Sequence, residues 1–435
     1  MVVLNWLIDN ILTQTAIFMG LIAALGLIVQ KKSKPEILEG ALMTAVGQIL
    51  FSSGSSILSG AMLAVNDLLL PTISTDTGVY PFSDNVMSFA YTVEYIGANI
   101  MQVFVIAWFI HILVVRIFHK YFKAVYLTVH MMLNMVACNM LFFYYAMGFT
   151  GWKLYVPSII ICVLYWTISP MLVYKDCMEL SGGSFCLGHL QQFGAFVGGH
   201  IAKFFGDPEK DNADELNLPG WLSMFQSTIL NLSVTIPITF IIIGIIVQIV
   251  GNETALEALA TNTGGVNWVI WMIIQGFTFT AGVAVLQYGL RIFLGSLVPA
   301  FQGFTEKIMP GVVPAIDCVA FFSYSPMGVI MGFFGYTLAG IVVAVGCILL
   351  NTSVFVFPSI LLAFFDGGAV GIFANKRGGW KGALVATFIC GLIMHIGSGV
   401  LAGFLGPAAE QGLSFGNFDT NSINALLFWI ISKFA

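Results

Sequence analysis

MFQSTILNLSVTIPITFIIIGIIVQIV, residues 224–250, runs for twenty-seven positions without an Asp, Glu, Lys or Arg. As a helix rising about 1.5 Å per residue, it is long enough to cross the roughly 30 Å hydrocarbon core of a bilayer. Stretches of similar character occur at 14–30, 37–64, 91–115, 124–149 and 156–174, and again at 267–290, 314–334, 338–362 and 382–405. With 224–250 they make ten expected spans, and the short apolar tail at 423–434 is a marginal eleventh. The whole composition agrees: 435 residues, 58% hydrophobic and 9% charged, with a mean hydropathy of +0.94. A chain with so few polar residues cannot cover a globule with a wet surface, so the expected fold is an all-α polytopic membrane protein.

Charge and motifs remove several function classes. Sixteen Lys and Arg against twenty-one Asp and Glu give a net charge of -5, which supplies no basic face for nucleic acid. The seven cysteines lie singly in apolar surroundings and read as small buried hydrophobes rather than disulfides or metal ligands. There is no HExxH pair for zinc, no GxxxxGK[ST] loop for nucleotide and no ion-filter signature, so no metal or cofactor is expected. The N-terminal MVVLNWLIDNILT has no basic residue before Lys31, unlike a cleaved signal peptide, and residues 1–13 read as an interfacial amphipathic turn of the mature chain.

Lys and Arg are retained on the cytoplasmic side of short loops, which orients the spans. An outside N-terminus puts Lys31, Lys32, Lys34, Arg116, Lys120, Lys123, Lys175, Lys203, Lys210, Lys307, Lys376, Arg377 and Lys381 inside. The outer loops expected at 251–266 and 406–421 carry no basic residue, and Lys153 alone is misplaced. With an eleventh span the C-terminus is cytoplasmic.

Two features recur in both halves and interrupt the spans. Pro81-Phe82-Ser83-Asp84 and Pro314-Ala315-Ile316-Asp317 are offset by 314 − 81 = 233 residues, and each follows a Gly/Ser-bearing helix. Gly182-Gly183 and Gly367-Gly368 are offset by 367 − 182 = 185. Broken backbone at membrane depth survives only where it lines a cavity, so these segments point to re-entrant or discontinuous helices in two repeated, inverted halves. GDPEKDNADELNLPGWL, residues 206–222, is the strongly polar linker between them. The expected division is therefore 1–205, the linker 206–222, and 223–435. The linker's acidic run reads first as a flexible solvated connector and second as a partner-docking site.

Gly188-His189, Gln191-Gln192-Phe193, Leu218-Pro219-Gly220-Trp221-Leu222, Ala315-Ile316-Asp317-Cys318, Gly371-Ile372-Phe373-Ala374-Asn375 and Gly378-Gly379-Trp380 fall in one order along nearly the whole chain. In that order and spacing the sequence resembles the ascorbate-type enzyme IIC permeases of the bacterial phosphotransferase system. The resemblance implies a homodimer in the bacterial inner membrane, each protomer with a V-motif scaffold and an elevator-type core domain that carries the substrate. It further implies phosphorylation of the incoming sugar by a separate IIB protein, itself charged by IIA, so that phosphoryl transfer is not performed by this chain.

Residue by residue, the resemblance carries His130, His189 and Asp317 over as substrate contacts. Other positions depart from the family pattern: Asn134 and Leu190 replace glutamines, and Asn85-Val86 replaces a Thr-Tyr pair. A site built to hydrogen-bond a polyol discriminates through such groups, so the substrate stands between ascorbate and a related sugar, sugar acid or polyol. Gln191 is a further candidate, with Gln192 the more suited to satisfying backbone, and Asp84 mirrors Asp317. A carboxylate at the depth of Asp317 is costly unless paired or wet, and its bland role is to cap a half-helix after Pro314, which is compatible with ligand contact. For the histidines the bland role is a satisfied bundle imidazole. The rival function is an ion-coupled secondary transporter of a small polar solute, which would use the same broken helices and the same carboxylate.

Overall fold

The computed structural model describes residues 14–72, 78–216 and 227–434, so the amphipathic turn at 1–13 and the motif at 218–222 lie outside the described residues. In chain order the elements are α1 (Thr15–Val29), α2 (Lys34–Thr72), β1 (Gly78–Pro81), α3 (Ser83–Thr92), α4 (Glu94–Ile117), β2 (Ala124–Tyr126), α5 (Val129–Leu141), α6 (Trp152–Ser181), β3 (Cys186–Leu187) and α7 (Gln192–Ala202). After the linker come α8 (Thr228–Val250), α9 (Glu253–Thr263), α10 (Trp268–Ile308), β4 (Val313–Ile316), α11 (Pro326–Leu349), β5 (Phe355–Val356), α12 (Gly368–Ala402), β6 (Leu413–Ser414) and α13 (Ala425–Ile431). Short helical turns fill the gaps, including π-type turns at Phe142–Ala146, Ala363–Gly367 and Thr420–Asn424 and a 3₁₀ turn at Cys318–Tyr324.

Among the described residues eight helices are long and apolar enough to cross a membrane, fewer than the ten or eleven spans expected. The apolar helices Thr15–Val29 and Thr420–Ile431 are shorter. The expected spans 314–334 and 338–362 turn out to be one helix, α11, between two extended segments. The reason is local: Pro314 and Pro358 offer no N–H to a helical ladder, and Asn351 sits at a φ of 47° beside Thr352 and Ser353. The expected outer loop 406–421 is also corrected. Residues 414–421 are buried: the Ser414 hydroxyl bonds to that of Ser398 in α12, and Thr420 and Asn421 donate to the carbonyls of Asn417 and Phe415.

Two long helices, α2 and α10, pack antiparallel along their length. Gly47 and Gly54 of α2 abut the backbone of Phe293 and Leu286, while Gly282 and Gly289 of α10 abut Leu58 and Phe51. In lipid, where apolar expulsion is absent, this close backbone approach is what holds helices together. The helices α1, α8 and α9 pack against this pair, and the remaining elements are organised by two small parallel sheets, each of three strands, in the orders β5-β1-β6 and β2-β4-β3. Each central strand holds one of the recurrent prolines, and both of its neighbours come from the other half of the chain. The two glycine pairs, by contrast, do unlike jobs. Gly182 and Gly183 end α6 with left-handed φ values of 62° and 81°, whereas Gly367 and Gly368 have helical values of -60° and -59°.

The polar linker is not a loose connector where it is described. Asp214 accepts from the Met327 N–H at 2.9 Å, the Ser325 hydroxyl at 2.5 Å and Asn375 Nδ2 at 3.0 Å, capping the start of α11. Asn375 Oδ1 accepts from the Ala213 N–H at 2.9 Å. Asp211 meets Lys381 at 2.8 Å, and its carbonyl accepts from the Trp380 N–H at 2.7 Å. At that contact Gly379 is in a left-handed conformation inside α12, with Asp211 where a Cβ would sit. The Gly378-Gly379-Trp380 motif is thus the seat of the linker.

Candidate substrate site

The sheet β2-β4-β3 brings three chemical groups together from segments far apart in sequence. Its ladder runs on past the strands: the Leu127 N–H donates to the Ala315 carbonyl at 2.9 Å, and the Gly188 N–H donates to the Ile316 carbonyl at 2.7 Å. Gly188 is required there, because a side chain would strike the backbone of Ala315. The residues following each strand are therefore neighbours: His130 opens α5, His189 follows β3, and Asp317 follows β4. His130 Nε2 lies 3.3 Å from Asp317 Oδ2, and the two imidazole rings stand 6.4 Å apart and nearly perpendicular. Asp317 Oδ1 accepts from the Val319 N–H at 3.2 Å, so the cap and the cavity-facing contact coexist on one carboxylate.

These groups line a cavity of about 80 Å³ with Ser83, Asn417, Met131 and Phe365. Phe51, Ser55 and Ser59 of α2 form its opposite wall. Open small-molecule pockets run to roughly 300–1,000 Å³, so the long-helix pair is closed down on the site in this conformation. His130 is the accessible member, its side chain 44% exposed against 11% for Asp317, while His189 is buried. A sugar hydroxyl meets both acceptor and donor functions here, from a carboxylate and two imidazoles. The donor atoms of the three residues lie within 4.8 Å of one another, a two-histidine, one-carboxylate set that also has the chemistry of a metal site and that sequence spacing did not reveal.

Several expected contacts do not reach this cavity. Asn134 is buried one turn further along α5, and its Nδ2 faces the Met131 sulfur. Leu190 is fully buried and contributes its carbonyl to the Asp419 N–H at 3.0 Å. Val86 is buried in α3, Asn85 is half-buried beside it, and the side chain of Asp84 lies outside the described residues. Gln191 Nε2 approaches the Phe365 carbonyl at 3.5 Å without lining the cavity, whereas Gln192 satisfies structure by donating to the Leu187 carbonyl and accepting from Tyr165. The departures at 85, 86, 134 and 190 therefore fall behind the site.

Sequence reading missed Ser83, Asn417 and the serine row of α2. The row was visible as FSSGSSILSG, residues 51–60, an unusual polar content for a span. Asn417 was hidden in a segment taken for an outer loop. It accepts from the Ser83 hydroxyl at 2.9 Å and donates to Asp366 Oδ1 at 3.0 Å.

A sequence model of the PTS system sugar-specific permease components matches residues 10–419, nearly the full length. The chain belongs to that family. Among curated proteins, the permease is 27% identical over 432 residues to the "Ascorbate-specific PTS system EIIC component" of Mycoplasma pneumoniae. The match covers 89% of this permease and 64% of that relative, so the chain spans somewhat under two thirds of the relative's length. With its several apolar membrane-length helices, the permease is a multi-pass membrane protein.

Proposed function

We propose that the chain is the translocating IIC subunit of a sugar phosphotransferase system. It imports ascorbate or a related sugar acid, and a separate IIB protein, recharged by IIA, phosphorylates the substrate on the basic side of the membrane. The observation that carries this reading is the convergence of His130, His189 and Asp317 on one cavity between the long-helix pair and the sheet-centred body. Ser83 and Asn417 complete the ligand shell, while Asn134, Leu190, Asn85, Val86 and Gln191 support it from behind. Because the departures from the family pattern lie outside the cavity, ascorbate is favoured over an unrelated polyol, in keeping with the relative's name.

The same reading takes α2 and α10 as the core of a V-motif scaffold, through which two copies pair, and the sheet-centred body as the moving element of an elevator. A cavity shut by α2 has to open for a sugar to enter, and sliding of one rigid body past the glycine-lined helix pair does this without unfolding either. The division at the linker into 1–205 and 223–435 as inverted repeats is supported by the reciprocal strand exchange, in which Pro81 and Pro314 each lie in the central strand of a sheet. The placement of the basic loops supports an N-terminus outside and a cytoplasmic C-terminus, which requires that α1 and α13 cross and that the Ile360–Ala402 segment crosses twice, turning at the break at Gly379 beside Lys376, Arg377 and Lys381. The test is a thermal-shift screen of the detergent-purified protein against ascorbate, sugars, polyols and sugar acids. Ascorbate should raise the melting temperature in the wild type and not in His189→Ala. A panel without any stabilising sugar would sink the proposal.

A further inference from the structure

A second cavity, of about 500 Å³, lies directly against the substrate site on the side of the linker. One wall is α10, with Gln287, Arg291 and Gln302, and the other is the turn after Asp317 with Ser184, Ser323 and Tyr324. Leu290 lines both this cavity and the pocket formed by His130 and Asp317, so the two are separated by little more than one side chain. Ser325, next to Tyr324, bonds to Asp214 of the linker, and Gln302 lies near the contact of Gln30 with Pro299, beside Lys31, Lys32 and Lys34. The cavity thus faces the basic end of the bundle.

Arg291 is the one charged residue lining this cavity. It is exposed, no carboxylate among the described residues pairs with it, and it sits within a helix long and apolar enough to span the membrane. A guanidinium that opens into a cavity without a carboxylate partner is available to an anion, and its planar fork suits phosphate oxygens better than any other side chain. Gln287, four residues before Arg291 on the same face of α10, adds an amide donor beside it.

We propose that Arg291, with Gln287 one turn before it on α10, forms a phosphate-monoester site that holds the phosphorylated sugar on its way out of the permease. The proposal rests on the transport reading above. A neutral or singly charged sugar does not need this site, whereas its phosphate monoester does, so the site favours product leaving toward the basic end over product returning.

The test uses the full chain in maltoside micelles as wild type, Arg291→Gln and Arg291→Lys, with melting temperature followed against inorganic phosphate, glucose 6-phosphate and, separately, ascorbate. Phosphate and glucose 6-phosphate should stabilise the wild type. Arg291→Gln should weaken both responses roughly tenfold, the loss of one charge-assisted contact, with the Lys variant falling between. Ascorbate should act equally on all three. An equal phosphate response in wild type and Arg291→Gln, or no phosphate response in the wild type, overturns the proposal. So does stabilisation by phosphatidylglycerol that needs Arg291 and is not displaced by glucose 6-phosphate, because the occupant would then be a lipid headgroup. If no sugar stabilises any of the proteins, the substrate-site reading fails by itself, and the phosphate response still decides this one.

Discussion

The two small sheets share one construction and put it to different uses. Around β2-β4-β3 the residues beyond the strand ends are His130, His189 and Asp317, whose polar atoms face the cavity. Around β5-β1-β6 the buried carboxylates are turned inward. Asp419 accepts from the Phe193 and Gly194 N–H groups at 3.0 and 3.1 Å and from the Tyr165 hydroxyl, capping the start of α7. Asp366 accepts from the Phe418 N–H at 2.6 Å and from Asn417. Both are fully buried and neither lines the cavity, so their bonds serve the fold, whereas Asp317 lines the cavity and shares an oxygen with an accessible histidine.

The sharpest way to break this contrast is to remove one carboxylate from each sheet. Asp317→Ala should weaken ascorbate binding by about a hundredfold or more, because a sugar hydroxyl then loses its charged acceptor. Unchanged affinity in a calorimetric titration would remove Asp317 from the ligand shell. Asp419→Ala should act on the fold instead. Loss of the α7 cap should cost about 2 kcal/mol of stability, seen as a lower melting temperature and yield, with affinity in the surviving protein within about twofold of wild type. If affinity collapses while stability holds, the two sheets are functionally alike and the comparison fails.

Smaller effects sharpen it. Ser83→Ala, on the rim supplied by the structural sheet, should weaken sugar binding by roughly fivefold, equivalent to about 1 kcal/mol for one hydroxyl. The linker offers a pH test outside the spans. Burial pushes the Asp214 carboxyl above its ordinary range, so the folded state prefers the protonated form. Its stabilising contribution is therefore fullest below about pH 4, the ordinary carboxylate value, and declines as pH rises through the folded-state value. Asp214→Asn should flatten this decline in a melting series, and an identical pH profile would show that the linker is not held through this carboxyl. The smallest effect is expected at Leu190→Gln, which restores the family residue behind the cavity and should change affinity by less than about twofold.

The membrane-spanning character and the breaks at Pro81 and Pro314 were legible because each leaves a local mark, a run without charge and a residue that cannot donate to a ladder. His130 and His189 were singled out by the family resemblance, and Asp317 by that resemblance together with the cost of a carboxylate at membrane depth. The count of spans was not, since an apolar stretch reads alike whether it crosses as a helix or runs as a buried strand, and hydropathy has no term for the partner that satisfies the backbone. Asn134 and Leu190 came from positions of the family pattern, and such a position says nothing about which side of a helix or strand end faces the cavity, which neither residue lines.

The sequence by itself determined that this protein lives in lipid and where its backbone breaks, because those depend on transfer energies and dihedral limits of single segments. Only the tertiary structure decided that residues 414–421 return into the interior and that each sheet takes its central strand from one half and its flanks from the other. It also decided which carboxylate lines the cavity and which are buried behind it. These outcomes depend on which distant backbone groups satisfy one another, and hydrogen-bond partners separated by hundreds of residues leave no periodic trace in either segment.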